Sequence, residues 1–279
     1  MKIIIIGAKG MLGQELANIF AAEKTLLWDK EEIDITDQLL LNKKITAENP
    51  DLIINAAAYN DVDGAETNEK IAYAVNSDGP KNLAQAAKKA ESILIHYSTD
   101  YVFKGDRQEG YKEDDEKDPQ SVYAASKSRG EDNVISNMDK YYIIRLSRLF
   151  GQPANAEGAK KSFIDVMLGL AKDKKELDIV DEELSSPTYA PDLAKQTKKI
   201  IDEKMDYGLY HAANSGACTW YDFAKEAFAI KNVDVRINPV PASKFPRPAK
   251  RPEYSILINT KLPEIRSWQK ALKDYLKND

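Results

Sequence analysis

The sequence predicts an α/β protein with a doubly wound parallel sheet and a smaller C-terminal lobe. In the first half, short apolar runs alternate with amphipathic segments, and a glycine-rich turn follows the first run. Strands of a parallel sheet are buried on both faces and therefore form continuous apolar runs. The pattern changes after Gly151, so we expect one domain over 1–150 and a lobe over 151–279, with 176–201 returning to the main sheet.

Five buried strands with helices between them are expected in the first half. The strands are predicted at Lys2–Ile6, Thr25–Trp28, Asp51–Ile54, Ser92–Tyr97 and Tyr141–Arg145. The helices are predicted at Met11–Ala22, from an N-cap at Thr36 to about Glu48, at Asp78–Ala90 and at Tyr123–Ile135. The polar stretch Lys104–Pro119 has two glycines and many charges, and it predicts a mobile surface loop.

The second half is expected to hold shorter elements. Gln152–Lys161 has no periodicity and indicates a loop. The next elements are expected to be a helix at Ser162–Lys172, a strand at Glu176–Val180 and a helix at Pro191–Ile201 that packs on the main sheet. The smaller lobe is expected to consist of Gly208–Asn214, Thr219–Ile230 and Asn238–Pro252.

Composition narrows the function classes. A hydrophobic content of 43% and a charged content of 30% are typical of soluble globular proteins. A net charge of −5 argues against a nucleic-acid partner. The lone Cys218 excludes an internal disulfide, and two histidines disfavour a zinc site, so no metal is expected. The apolar run Ile3–Ile6 is too short for a signal peptide or membrane span, so we expect a cytoplasmic protein without membrane contact.

The turn after the first strand has the pattern G-x-x-G-x-x-G. Its glycines are Gly7, Gly10 and Gly13, with Met11 and Leu12 between the last two. Glycines permit a tight turn and close approach to a pyrophosphate, whose charge is favourable at a helix N-terminus. A plain strand–helix turn is the alternative. The predicted strand before the turn and helix after it favour a dinucleotide site.

A carboxylate follows at the spacing expected for an adenosine ribose contact. Asp29 follows the second strand, 22 residues after Gly7 (29 − 7). Lys30 offers an alternative contact to a 2′-phosphate, so the choice between NADPH and NADH stays open. Asp34 and Ile35 are expected to flank the adenine.

Tyr123 and Lys127 stand four residues apart and share one face of the predicted helix. A free tyrosine has a pKa of about 10 and is a poor acid or base at neutral pH. We expect the lysine charge to bring the pKa of this phenol toward the working range. A solvated helix face is the alternative. Beside a dinucleotide, the pair suits proton transfer coupled to hydride transfer.

Several motifs together carry a family resemblance. They are S-T-D-Y-V-F at 98–103, Y-A-A-S-K at 123–127, N-A-A-A-Y at 55–59 and R-P-A-K-R-P-E-Y-S at 247–255. With the glycine turn, they resemble the Rossmann-type extended short-chain dehydrogenase/reductases, and more narrowly the dTDP-4-dehydrorhamnose reductase family. The resemblance runs from the first strand to about Leu257.

This resemblance implies NAD(P)H-dependent reduction of the C4 keto group of a nucleotide-linked 4-keto-6-deoxy sugar, as in dTDP-L-rhamnose biosynthesis. The first domain would bind the cofactor and the smaller lobe the substrate. Tyr123 would protonate the developing alkoxide, Thr99 would hydrogen-bond the same oxygen, and Lys127 would hold the nicotinamide ribose. Asp100 would contact the sugar. Further cofactor contacts are implied for Ala58, Tyr59, Asn60 and Tyr97.

Other positions leave alternatives open. Arg148 replaces the tryptophan that the family places against the sugar, so it either meets a charged or more hydroxylated sugar or belongs to an unrelated ion pair. Arg251 would bind the diphosphate or would pack on the neighbouring prolines. Glu15 and the acidic run at 113–116 are expected to be solvated. His96, like the lone cysteine, is expected to be a packing residue.

Two functions other than a reductase are compatible with this fold: a dehydratase and a non-catalytic dinucleotide-binding subunit. A dehydratase of the same superfamily needs an acid pair after Thr99, but Asp100 is followed by Tyr101. A non-catalytic dinucleotide-binding subunit, of the type that regulates methionine adenosyltransferase, would not need a proton donor. The presence of Thr99, Tyr123 and Lys127 favours the enzyme. A homodimer is compatible with the sequence.

Overall fold

The structure is a computed structural model that describes residues 1–154 and 161–277. Most of the expected loop at Gln152–Lys161 lies outside the described residues. The strands, in chain order, are β1 (Lys2–Ile6), β2 (Lys24–Trp28), β3 (Leu52–Asn55), β4 (Ile93–Thr99), β5 (Tyr141–Leu146), β6 (Leu149–Phe150), β7 (Glu176–Val180), β8 (Leu184–Ser185), β9 (Thr188–Tyr189), β10 (Gly208–His211), β11 (Arg236–Val240) and β12 (Tyr254–Ser255). The α-helices are α1 (Met11–Ile19), α2 (Gln38–Glu48), α3 (Val62–Ala65), α4 (Glu69–Tyr73), α5 (Gly79–Lys89), α6 (Val122–Asn137), α7 (Phe163–Asp173), α8 (Ala190–Asp202), α9 (Trp220–Lys231) and α10 (Trp268–Lys277).

Six parallel strands form the main sheet in the order β10-β5-β4-β3-β1-β2. The chain starts at β1, runs outward to β2, and then crosses back to β3 on the other side of β1. This reversal opens a crevice at the carboxyl ends of β1 and β3, where open α/β sheets bind ligands. The predicted Rossmann-type doubly wound sheet is therefore confirmed.

The two faces of the sheet are covered by different helices. Along β1, Ile3 and Ile5 pack on one face with side chains from α1 and α8, whereas Ile4 and Ile6 pack on the other face with side chains from α2 and α5. This alternation is the period of two expected for a strand. All four isoleucines are at most 1% exposed, and full burial of each contributes about 1.5–3 kcal/mol.

The second half of the chain adds a small sheet and an aromatic core. Strand β7 pairs in parallel with β11, α7 and α9 pack on this pair, and α10 packs against α9. Three fully buried rings lie in this core: Phe150, Phe223 and Tyr275. The ring of Phe150 meets each of the other two edge to face. The division of the chain near residue 150 into two domains stays a prediction.

The second half also contributes to the main layer. Of the stretch 176–201 that was expected to return to the main sheet, α8 packs there, against α1 through Leu193 and Ala194. Strand β7 does not, because it pairs with β11 in a separate sheet. The assignment of 208–214 to the smaller lobe was wrong, because β10 pairs with β5 in the main sheet from Gly208 to His211. Only four residues long, β10 carries no signal that specifies its neighbour.

Local details differ from the predictions at two helices. The N-cap of α2 is Asp37, whose carboxylate accepts from the Leu40 amide at 3.0 Å, and not Thr36. The Thr36 hydroxyl donates instead to Asp34 at 2.8 Å, inside a turn. Helix α1 ends at Ile19, three residues earlier than expected. The sequence analysis missed α3, α4 and the π-helical turn Ala74–Asp78.

The stretch at 104–119 has no helix or strand, but it is anchored. Tyr111 is 2% exposed and stacks on Phe103 with ring centroids 4.4 Å apart. Glu113 was expected to be solvated, yet it is buried and accepts from the Thr260 hydroxyl at 2.7 Å. Its partner lies 147 residues away, so the contact had no local sequence signal. Within the described residues, none of the helices has the length and apolar character needed to span a membrane.

Candidate active site

The glycine turn forms a backbone cradle between β1 and α1. Gly7 has a φ of +78°, and a Cβ there would lie 2.7 Å from the Ala57 amide nitrogen. A Cβ on Gly13 would lie 2.1 Å from the Gly7 carbonyl oxygen. Gly10 is the N-cap of α1 and has no side chain to satisfy the first amides. The turn therefore leaves amides and a helix N-terminus facing the crevice, which suits a pyrophosphate.

Met11 and Leu12 follow Gly10 as the first residues of α1. Leu12 is 6% exposed because its side chain packs in the core beneath the sheet. Its backbone amide, and not its side chain, is thus the group that faces the cradle. Met11 is half-buried and lies near Gly151.

The carboxylate of Asp29 is tied to the glycine turn. It accepts from the Lys9 amide at 3.0 Å and from the Lys30 amide at 2.9 Å. The side chains of Lys30 and Asp34 are exposed, whereas Ile35 is buried and packs against α5. Asp29, Lys30 and Asp34 thus lie at the mouth of the crevice. Ile35 shapes its wall from within the core.

Residues Ala58, Tyr59 and Asn60 follow β3 and run past the cradle. Asn76 holds this segment in place: its amide oxygen accepts from the Tyr59 amide at 2.8 Å, and its amide nitrogen donates to the Tyr59 carbonyl at 3.0 Å. Asn76 also donates to Ser126 on α6 at 3.1 Å. Asn76 was not predicted from the sequence, because it lies in the π-helical turn, where no motif marks it.

Thr99, Tyr123 and Lys127 come together as predicted by their motifs. The end of β4 supplies Thr99, and α6, capped by Ser121, supplies the other two. All three are buried, at 7%, 8% and 3% exposed, and the Thr99 hydroxyl lies beside the Tyr123 phenol. The Lys127 ammonium donates to the Tyr97 carbonyl at 2.6 Å.

Tyr97 itself faces away from this cluster. Its hydroxyl bonds Thr197 on α8 at 2.7 Å, on the opposite face of the sheet. A contact of Tyr97 to a cofactor would therefore come from its backbone, and its carbonyl already orients Lys127.

The pKa of Tyr123 does not follow the sequence expectation. Burial, followed by the charge of Asp100, raises this pKa to about 12, and the neighbouring Thr99 hydroxyl offsets only part of the rise. Lys127 does not bring the phenol toward neutrality in the free protein, because its ammonium is bonded to the Tyr97 carbonyl. A phenol with a raised pKa keeps its proton at neutral pH, which suits a proton donor.

Asp100 is a hub of hydroxyl hydrogen bonds. Ser147 donates to it at 2.7 Å, Ser255 at 2.6 Å and Thr99 at 3.0 Å. The residue is 2% exposed, and burial raises its pKa against these hydrogen bonds. Asp100 therefore joins the ends of β4 and β5 to β12. Ser255 lies in the quoted motif at 247–255, but no role was predicted for either serine from the sequence.

Arg148 makes a cation–π contact with an indole ring. Its guanidinium is 3.9 Å from the ring centroid of Trp220, the first residue of α9. It donates to the carbonyls of Cys218, at 2.9 Å, and of Glu183. The backbone of Arg148 is left-handed, with φ of +42°, so packing holds the residue in a strained conformation. These contacts are carbonyls and a ring, and not the ion pair considered as one alternative.

Arg251 is paired across the crevice with Asp63 of α3, at 2.7 and 3.0 Å. It is therefore not a surface arginine resting on prolines. It lines a cavity of about 300 Å³ together with Arg247 and Glu183, which form a second ion pair. The ring of Tyr101 meets that of Tyr123 edge to face, with the ring centroids 6.1 Å apart.

The geometry agrees with what comparison with known proteins shows. The family model for the RmlD substrate binding domain matches residues 1–279. The chain belongs to this family. A dTDP-4-dehydrorhamnose reductase of Mycobacterium tuberculosis (strain CDC 1551 / Oshkosh) is 38% identical, over 97% of this chain and 91% of the relative.

Solved structures of the family superpose closely. A dTDP-4-dehydrorhamnose reductase from Clostridium acetobutylicum ATCC 824 is 39% identical, with a TM-score of 0.94 over 100% of this chain and 99% of that one. A second, from Bacillus anthracis str. Ames in complex with NADP, is 35% identical with the same TM-score and coverage. The similarity therefore covers both halves of the chain.

Proposed function

We propose that this protein reduces the C4 keto group of a nucleotide-linked 4-keto-6-deoxy sugar with NADPH or NADH, as in dTDP-L-rhamnose biosynthesis. The observation that carries the proposal is the buried cluster of Thr99, Tyr123 and Lys127 beside a glycine cradle. The named relatives are reductases of this type, and one of them is solved with NADP. The nucleotide is most simply dTDP.

The residues present fit a dinucleotide. The space over Gly7 and Gly13 is too narrow for a Cβ, so the backbone approaches the pyrophosphate directly. We assign Asp29 to the adenosine ribose and Lys30 to a 2′-phosphate, and the tie of Asp29 to the glycine turn supports this, with both NADH and NADPH kept as candidates. Reduced nicotinamide, when bound, supplies a hydride to the carbonyl carbon of the sugar.

The chain's own groups manage the oxygen. As charge grows on the C4 oxygen, the Tyr123 phenol donates its proton to it and Thr99 donates a hydrogen bond. Both interactions strengthen in the transition state, which is where stabilisation accelerates a reaction. Lys127, fixed by the Tyr97 carbonyl, keeps a positive charge near the phenol and has further N–H donors for the nicotinamide ribose.

The sugar and diphosphate are assigned to the other side of the crevice. Asp100 and Arg148 would border the sugar, and Arg251 would bind the diphosphate after Asp63 releases it. The guanidinium of Arg148 presents a flat surface backed by Trp220, so the family's aromatic wall becomes a cationic one. A charged or more hydroxylated sugar is the second candidate substrate on this observation. A homodimer stays a prediction.

The test is a cofactor oxidation assay. Purified protein is mixed with NADPH or NADH and a dTDP-4-keto-6-deoxy sugar, and the absorbance of the reduced cofactor is followed. Tyr123→Phe is expected to lower kcat about 10²–10⁴-fold, the usual contribution of general acid catalysis. Cofactor affinity, measured by fluorescence, is expected to stay unchanged. Equal kcat in wild type and variant would remove the phenol from the mechanism.

A further inference from the structure

One stripe of helix α6 leads from the candidate reaction site into the core. Tyr123, Lys127 and Glu131 are spaced by four residues and share this face. Glu131 is 0% exposed, which is rare for a carboxylate unless it is paired. We infer that Glu131 is a positioning residue that keeps the Lys127 side chain in its charged form. The inference rests on the proposed roles of Tyr123 and Lys127.

Glu131 is built to remain an anion. Arg145 of β5 grips both carboxylate oxygens, at 2.8 and 2.7 Å. Lys117 approaches one of them at 3.3 Å. Burial alone would raise the pKa of Glu131, but the hydrogen bonds and charge of Arg145, with the charge of Lys117, lower it below its ordinary value. The fold therefore holds a permanent negative charge one helical turn beyond Lys127.

Lys127 needs such a charge. It is 3% exposed, and the hydrogen bond to the Tyr97 carbonyl is with a neutral acceptor. Burial lowers the pKa of Lys127 to about 8, and the carboxylate of Glu131 acts in the opposite direction. Without that carboxylate, the ammonium would lose its proton at a lower pH. A neutral lysine would no longer stabilise the phenolate that forms when Tyr123 donates its proton.

The other groups around Lys127 do not substitute for this carboxylate. On its own helix, Tyr123 is neutral at physiological pH. On β4, burial and then the charge of Lys127 lower the pKa of His96, so the imidazole is neutral. Arg145 on β5 and Lys117 in the 104–119 stretch are cations and are paired to Glu131. Among the described neighbours, the negative charge that acts on Lys127 comes from Glu131, whereas that of Asp100, on the turn after β4, acts on Tyr123.

The experiment measures kcat/KM against pH, from about pH 6 to about pH 10, in protein saturated with reduced cofactor. Wild type is expected to lose activity above about pH 8, as Lys127 deprotonates, because the pKa of Tyr123 is far higher. In Glu131→Gln the alkaline limb is expected to move down by about one pH unit. Glu131→Asp keeps the charge, so its alkaline limb should lie close to that of wild type.

Asp132→Asn is the matched control. It removes the neighbouring carboxylate, which is 61% exposed and shares Lys117 with Glu131. Its alkaline limb is expected to match that of wild type. Glu131→Gln leaves Arg145 buried without a charge partner, so the double variant Glu131→Gln/Arg145→Gln is measured as well. Because the double variant also removes a cation, its alkaline limb should shift downward by less than that of Glu131→Gln.

Two outcomes would overturn the inference. One is a wild-type alkaline limb in a folded Glu131→Gln or in the double variant. The other is an unmoved limb in Lys127→Arg, whose guanidinium stays charged, because the limb would then not report this position. Failure of the proposed function itself looks different: Tyr123→Phe would then retain wild-type turnover, whatever Glu131 does.

Discussion

The two walls of the crevice are built in different ways. The cofactor wall consists of turns that follow β1, β2 and β3, with contacts such as Lys9 to Asp29 that span 20 residues. The opposite wall is assembled from distant segments: Ser255 reaches Asp100 across 155 residues, and Arg251 reaches Asp63 across 188. Local motifs therefore determine the cofactor wall. The substrate wall depends on the packing of the whole chain.

The largest effect is expected from crowding the cofactor wall. In Gly13→Ala the new Cβ would lie 2.1 Å from the Gly7 carbonyl oxygen, so the turn must shift. Such overpacking costs about 1–3 kcal/mol, and we expect the Kd of the reduced cofactor to rise about 10–100-fold. Fluorescence titration measures it.

Gly169→Ala in α7 is the control for that substitution. A Cβ there meets nothing within 4 Å, and replacing a helical glycine by alanine stabilises by about 0.5–1 kcal/mol. Its cofactor affinity should equal that of wild type. If Gly13→Ala also binds cofactor normally, the close approach at the turn is not what shapes this wall.

A smaller effect is expected from Arg148→Met in the substrate wall. The change removes two hydrogen bonds to carbonyls and the contact with Trp220, and we expect a loss of about 1–2 kcal/mol in the free energy of unfolding. Urea denaturation measures it. Arg236→Met, at a side chain 76% exposed, should change stability by less than about 0.5 kcal/mol.

The alternative outcome for Arg148 is informative. Arg148→Met could be as stable as wild type and yet show a higher KM for the nucleotide sugar. The guanidinium would then contribute to substrate binding more than to the stability of the fold. Arg148→Trp extends the test, since it should improve turnover of the rhamnose precursor if the natural sugar is a different one. Unchanged or lower turnover would contradict that substrate hypothesis.

The smallest effect is expected at the ion pair that crosses the crevice. Asp63→Asn removes the partner of Arg251 at a carboxylate 37% exposed, so we expect a stability loss of at most about 1 kcal/mol. The freed arginine should bind dTDP several-fold more tightly, as calorimetry would show. Asp139→Asn, at a side chain 95% exposed, is the control. Weaker binding in Asp63→Asn would mean that Asp63 orients Arg251 for the diphosphate.

The same contrast explains what the sequence could predict. Strands β1 and β7 have the bounds that the sequence predicted, and the meeting of Thr99, Tyr123 and Lys127 follows from two short motifs and the sheet topology. These features depend on periodicity and on the rule that parallel strands end at one edge.

Other parts of the site had no local signal. Asn76 lies in a π-helical turn, and Trp220 reaches Arg148 from a helix 72 residues away, so neither was predicted. The pKa of Tyr123 was predicted in the wrong direction. The spacing of tyrosine and lysine shows that they share a face, but burial and Asp100 decide the result, and both are properties of the folded chain.

The hydrogen bond from Ser255 to Asp100 makes the proposed sugar pocket dependent on a segment far along the chain. The sheet that carries the cradle, Tyr123 and Lys127 depends on later segments as well, because α8 packs against α1 and β10 pairs with β5. Both walls of the crevice are therefore completed only after segments of the second half have been synthesised.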